Sequence, residues 1–243
     1  MSGLLGKRVL VTGGSRGLGR AIVVALARAG ARVGFTFRSR VEDAEETRRL
    51  AGEGTLVFQG DVADAAHASA TVAACVAAWG GLDGLVCNAA VVQIVPMAML
   101  EEADWDACMN TNVKGTYLFA RAALRPMIKA RAGRIVCVGS LGGSRVLDAP
   151  VHYAASKAAL AGFVAALAKE VGRYGVGVQL LQPGLLESGL SARLPKHRVD
   201  AYRAQAALGR LGGLDEVAAA ATWLLSDEAA LLTGMPLVID GGL

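Results

Sequence analysis

Tyr153 and Lys157 stand four residues apart in Tyr-Ala-Ala-Ser-Lys, near the start of a helical pattern that begins at His152. Positions i and i+4 share one face of a helix, so the phenol and the ammonium point into the same space. A free tyrosine titrates near pH ~10, too high to pass protons readily near neutrality. A neighbouring cation favours phenolate and lowers that value, which makes the pair a candidate general acid/base unit. Ser140 follows Gly139 on the loop that feeds the same helix. Its hydroxyl suits holding a carbonyl oxygen while Tyr153 protonates it. The plain alternatives are an exposed helix pair and a loop-capping serine.

A second constellation lies near the N-terminus, in Thr12-Gly13-Gly14-Ser15-Arg16-Gly17-Leu18-Gly19. Glycines at 13, 17 and 19 let the backbone turn tightly and approach a ligand closely. A helix starting there offers unpaired N–H groups and a partial positive charge to a pyrophosphate. Ser15 and Leu18 belong to the same phosphate-binding turn. The next strand should decide between nicotinamide cofactors: an acid at its end pairs with ribose hydroxyls, a base suits a 2′-phosphate. It ends in Phe37-Arg38-Ser39-Arg40, without an acid. Arg38 and Arg16 are therefore expected to hold that phosphate through paired N–H bonds, with Ser39 as a hydroxyl donor. The cofactor expected is NADP(H). Asp61-Val62 are placed at the adenine edge, and Asn88-Ala89-Ala90 along the cofactor.

These groups need a scaffold, and the chain alternates strand and helix. Strands are read at Lys7–Thr12, Ala31–Phe37, Thr55–Gln59, Leu82–Cys87, Arg134–Val138, Val176–Leu181 and Leu237–Ile239. Helices are read at Leu18–Ala29, Val41–Ala51, Ala65–Trp79, Ala103–Arg125 with Pro126 beyond it, His152–Arg173 and Leu214–Ser226. Continuous apolar strands are buried on both faces, and strands separated by helices imply right-handed crossovers. The fold class expected is α/β: a Rossmann-type, doubly wound parallel sheet of about seven strands in three layers, forming one domain over 1–243. Ligands in such sheets bind beyond the carboxyl ends of the strands, where Ser140 falls. Leu185–Leu208 is irregular and reads as a flap; with Val92–Met99 it should shape the substrate pocket.

Composition agrees with that class. The chain has 243 residues, 53% hydrophobic and 19% charged, which excludes a disordered chain. Its net charge of +4 is spread out rather than clustered, so no nucleic-acid partner is expected. The four cysteines, Cys75, Cys87, Cys108 and Cys137, form no C-x-x-C pair and read as buried thiols. His67, His152 and His197 are far apart, so no metal site is expected. No leader segment and no apolar run of membrane-spanning length is read, which points to a cytoplasmic protein.

Together the motifs resemble the short-chain dehydrogenase/reductase family. Thr12–Gly19 matches T-G-x-x-x-G-x-G, Asn88-Ala89-Ala90 matches N-A-G, and Asn112 lies in Asn-Val-Lys-Gly. Ser140, Tyr153-x-x-x-Lys157 and Pro183-Gly184 follow in family order, covering essentially the whole chain. Ala90 replaces the usual glycine, and Ser188 stands where the family has threonine. The resemblance implies a carbonyl reductase in which Tyr153 donates the proton, Lys157 lowers the Tyr153 pKa and binds the nicotinamide ribose, and Ser140 orients the carbonyl. Asn112, rather than Asn110, would hold a water in a proton relay. Pro183, Gly184 and Ser188 would contact the nicotinamide end of the cofactor.

Within the family the chain is most similar to the 3-oxoacyl-[acyl-carrier-protein] reductases, from Gly209-Arg210-Leu211-Gly212 to the closing Val238-Ile239-Asp240-Gly241-Gly242. That implies a 3-oxoacyl substrate on a carrier protein or coenzyme A, with fatty acid biosynthesis as the setting. Arg131 and Arg173 are candidate contacts to an acidic acyl carrier protein; the subfamily's second basic contact falls where this chain has Tyr174, which carries no positive charge. The family also implies a homotetramer. The alternatives are a polyketide ketoreductase, a sugar or polyol dehydrogenase, and a non-catalytic NADPH sensor.

Overall fold

A computed structural model describes residues 3–189 and 191–243. Seven strands form one parallel sheet: β1 (Arg8–Val11), β2 (Arg32–Phe37), β3 (Leu56–Gln59), β4 (Gly84–Cys87), β5 (Gly133–Val138), β6 (Val176–Pro183) and β7 (Pro236–Ile239). Their order is β3-β2-β1-β4-β5-β6-β7. From β1 the chain winds outward through β2 and β3, then crosses back to β4 and winds the other way. The reversal between β1 and β4 opens a crevice at the carboxyl ends of those strands.

Among the described residues there are eight α-helices: α1 (Gly17–Arg28), α2 (Val41–Ala51), α3 (Ala65–Trp79), α4 (Glu102–Met109), α5 (Gly115–Ala130), α6 (Val151–Val171), α7 (Lys196–Gln205) and α8 (Leu214–Leu224). The two-residue period of a strand divides each apolar run between two cores. Leu10, Leu85, Cys87, Ile135 and Cys137 face α3, α5 and α6, packing with Val72, Phe119, Met127 and Leu160. Val9, Val11, Val86, Val136 and Val138 face the other way, onto Ile22, Leu26, Val217 and Leu224 of α1 and α8. Each such side chain, taken fully out of water, contributes about 1.5–3 kcal/mol. This is the three-layer, doubly wound sheet expected.

Several local expectations are corrected. The long helix read at Ala103–Arg125 is two helices joined by a π-helical turn, Asn110–Lys114. Pro126 does not lie beyond α5 but inside it. The helix continues because Met127, fully buried, anchors the next turn in the core. β6 is not stopped at Leu181; it runs through Pro183, which pairs with Ile239 of β7. The flap contains a helix, α7, with Pro195 at its N-cap, where its fixed φ suits a helix start. Finally, Val151–Tyr174 is by length and composition apolar enough to cross a membrane, with mean hydropathy 1.3. It instead packs against the sheet through Leu160, Val164, Ala168 and Val171 and carries a buried lysine.

Candidate active site

The glycine turn runs from the end of β1 into α1. Arg16, the N-cap of α1, makes no side-chain capping bond, so the first-turn N–H groups remain open to an anion. A Cβ on Gly19 would collide with the Gly13 carbonyl and the Asn88 amide, and Gly13 has φ of 68°. Only glycine fits this close approach. The turn is tied down from both sides. Thr12 Oγ1 accepts from the backbone N–H of Asn88 (3.0 Å) and Ala89 (3.1 Å). Asn88 Nδ2 donates back to the carbonyls of Thr12 (3.1 Å) and Gly13 (3.0 Å). Arg20 donates to Ser15 O at 2.7 Å and to Thr47 Oγ1 at 2.9 Å, clamping the turn onto α2.

A single cleft of about 1280 Å³ extends from this turn across the carboxyl ends of the strands. Gly13, Ser15, Arg16, Gly17, Leu18 and Gly19 line one end, with Arg38, Ser39, Asp61 and Val62. Asn88, Ala89 and Ala90 line its middle; Ser140, Tyr153, Lys157, Pro183, Gly184 and Ser188 line the other end. Arg38 is exposed and pairs with Asp61 at 3.3 Å. The Leu185–Leu208 flap contributes Leu185, Leu194, Arg198 and Tyr202 to the wall. It is held there by an Arg198–Asp148 ion pair (3.0 Å) and a Leu185 N–H bond to the Tyr202 hydroxyl (2.7 Å).

Lys157 is buried, and its Nζ donates to Val138 O at 2.7 Å. Burial pulls its pKa down from the ordinary lysine value of 10.5 to about 8. The ammonium lies 5.7 Å from the centre of the Tyr153 ring. The expected acidification of Tyr153 is not what the structure shows. Burial pushes the phenol above its ordinary value, and a hydrogen bond with Ser140 offsets only part of that. Desolvation disfavours phenolate more than the Ser140 hydrogen bond favours it.

Asn112 does not line the cleft. It is buried in the π-helical turn, whereas Asn110 is exposed. Its Oδ1 accepts from Val91 N at 2.8 Å, and its Nδ2 donates to Val91 O (3.1 Å) and Ser156 Oγ (2.9 Å). Ser156 Oγ in turn donates to Tyr153 O at 2.7 Å. Asn112 therefore braces the strand-end loop against α6. Among the described residues no cluster of His, Cys, Asp or Glu could hold a metal ion.

Residues 13–243 match a family profile described as Enoyl-(Acyl carrier protein) reductase. The 3-oxoacyl-[acyl-carrier-protein] reductase FabG of Escherichia coli (strain K12) is 35% identical over 240 residues, covering 98% of this chain and 97% of the relative. The chain belongs to the short-chain dehydrogenase/reductase family. Solved family members superpose closely. The short-chain dehydrogenase/reductase of Serratia marcescens BCRC 10948 is 34% identical with a TM-score of 0.91, covering 99% of this chain and 98% of that one. A short chain dehydrogenase of Burkholderia cenocepacia J2315, solved with NADP, is 37% identical with a TM-score of 0.91 and the same coverage.

The two arginines expected to face an acidic carrier protein, Arg131 and Arg173, are neighbours on the surface. Arg131, whose φ of 52° makes it the one non-glycine residue with positive φ among those described, donates to Arg173 O at 3.2 Å. The Arg173 guanidinium lies 4.9 Å from the centre of the Tyr174 ring, inside cation–π range. Sequence alone does not mark three further residues. Thr12 reads only as part of the glycine motif, Gln93 falls inside Val92–Met99 without a role, and His152 reads as an isolated histidine. His152 Nε2 and Gln93 Oε1 lie 3.0 Å apart, across 59 residues of sequence. No one-dimensional signal pairs them.

Proposed function

We propose that this chain, one cofactor-binding domain over 1–243, is an NADP(H)-dependent reductase of 3-oxoacyl thioesters. The observation that carries this is the cleft: a glycine turn, an arginine suited to phosphate and a serine–tyrosine–lysine group line one continuous cavity. The glycine turn and the open N-terminus of α1 fit a pyrophosphate, and Arg38 with Arg16 and Ser39 fits a 2′-phosphate. Asp61 and Val62 flank the adenine side, while Pro183, Gly184 and Ser188 lie at the nicotinamide end. When bound there, the dinucleotide supplies the hydride.

This chain's own residues supply the proton and the placement. Ser140 and Tyr153 hold the ketone oxygen. Tyr153 gives it the phenolic proton as the carbon is reduced, so C=O becomes CH–OH. Its raised pKa keeps the phenol protonated across the neutral range, as a donor must be. Lys157, with one N–H on Val138 O, keeps further donors for the ribose. Asn112 positions the loop beside α6, and in this reading its turn also holds the relay water.

Likeness to FabG supports a 3-oxoacyl substrate, and Arg131 beside Arg173 supports an acidic carrier protein as its vehicle. We read the protein as a homotetramer. Small exposed residues on α6 (Ala158, Ala159, Ala161, Gly162, Ala165, Ala166) would let a second helix approach, and Leu231, Met235 and Val238 leave an apolar C-terminal surface. The test is NADPH oxidation with an acetoacetyl thioester, for wild type and Tyr153→Phe. Loss of at least about a thousandfold in turnover with NADPH binding retained is expected. Unchanged turnover in the variant would end the assignment. Reduction of a crotonyl thioester instead would favour the enoyl chemistry named by the family profile.

A further inference from the structure

Apolar side chains that line the cleft include Val92, Leu147 and Leu185. Gln93 also lines it, and among the described residues its amide nitrogen donates to none. Its Oε1, by contrast, is engaged by His152 Nε2 at 3.0 Å. With the amide oxygen as the acceptor, the imidazole holds its hydrogen on Nε2, and the bond sets which way the amide faces. His152 is fully buried immediately before Tyr153 in α6. Its Nδ1 is buried without a partner, a cost that an apolar residue at this position would avoid. What the histidine provides in return is a fixed orientation for Gln93, tied to the same helical turn as the proton donor.

We infer that Gln93 is a specificity-determining residue that donates a hydrogen bond to the second carbonyl oxygen of a 1,3-dicarbonyl substrate, and that His152 is the positioning residue that holds it. The inference rests on the proposed reduction of 3-oxoacyl thioesters. In such a substrate the ketone oxygen is taken by Ser140 and Tyr153. The thioester oxygen then enters an apolar pocket and needs a donor of its own. An unpaired carbonyl there costs about 1–3 kcal/mol. A site built to hydrogen-bond such an oxygen discriminates against an analogue that lacks it.

The experiment compares the acetoacetyl thioester of N-acetylcysteamine with 2-heptanone, a monoketone without the second carbonyl, using NADPH and the full chain. Gln93→Leu keeps the size and removes the donor. The ratio of kcat/KM, thioester over monoketone, should fall about tenfold. Gln93→Glu, which replaces the donor with an anion, should lower it further. His152→Leu should raise KM for the thioester more than it lowers kcat, and His152→Asn, which can still donate, should recover part of the loss. The Gln93→Leu/His152→Leu double variant should be no worse in that ratio than Gln93→Leu alone, since both remove one interaction. A ratio unchanged in Gln93→Leu, with wild type active on the thioester, overturns the inference and leaves the functional proposal standing. A wild-type enzyme that reduces the monoketone and not the thioester overturns both. Additive losses in the double variant would make His152 a packing residue and refute its positioning role.

Discussion

Lys157→Met should make the protein more stable near neutral pH while removing its activity. The wild-type ammonium is buried, and its pKa falls from 10.5 unfolded to about 8 folded. Each unit is worth about 1.4 kcal/mol, so keeping Lys157 charged in the folded state costs about 3 kcal/mol at pH ~7. Methionine has similar length and no charge, so that cost disappears. Val138 O loses its donor, which offsets about 1–2 kcal/mol of the gain. The net expectation is a variant more stable by about 1–2 kcal/mol at pH ~7, or a few degrees in Tm for a chain of this size.

The sign of the pH dependence follows from the depressed pKa. Between the folded value of about 8 and the unfolded value of 10.5, the unfolded wild type binds more protons than the folded one. Wild-type stability therefore rises with pH in this window relative to the variant. By pH ~9.5 the charge penalty has shrunk to about half, so the variant's advantage moves by about 2 kcal/mol towards wild type. Urea unfolding of both proteins at pH ~7 and ~9.5, at one protein concentration, measures that shift. A stability difference that stays constant across the window, or that grows in the variant's favour as pH rises, would refute the burial argument.

Other outcomes follow from the same geometry. Reductive kcat/KM should fall with an apparent pKa near 8, where the Lys157 charge is lost, before the raised Tyr153 phenol ionises; a profile flat beyond that point would show that the charge is not needed. Arg38→Asp should cut kcat/KM for NADPH by about 10–100-fold and raise the use of NADH, since one charge-assisted contact to phosphate is lost and an acid suits ribose hydroxyls; equal efficiency of wild type with both cofactors would reject the phosphate role. Thr12→Val, nearly isosteric, strips the acceptor from the backbone N–H groups of Asn88 and Ala89 and should cost about 2 kcal/mol in urea unfolding; a variant as stable as wild type would mean that water replaces the hydroxyl.

The sheet, its parallel sense and the two chemical constellations were legible in the sequence because each rests on local order. Apolar runs such as Leu85–Cys87 and Ile135–Val138 are continuous because both faces are covered. The glycine turn and the Tyr153–Lys157 spacing are likewise local, since turn chemistry and helical period act over a few residues. The continuation of α5 through Pro126 was not, because core packing of Met127 outweighs a local breaker. Nor were Asn112 turning away from the cleft into bonds with Val91 and Ser156, or Gln93 meeting His152. Above all, sequence placed an ammonium beside a phenol and implied acidification, while burial raises the phenol and lowers the ammonium. Residue spacing decides which groups are neighbours. Desolvation decides their proton affinities, and it is a sum over α6, β5 and the loops that only folding brings around them.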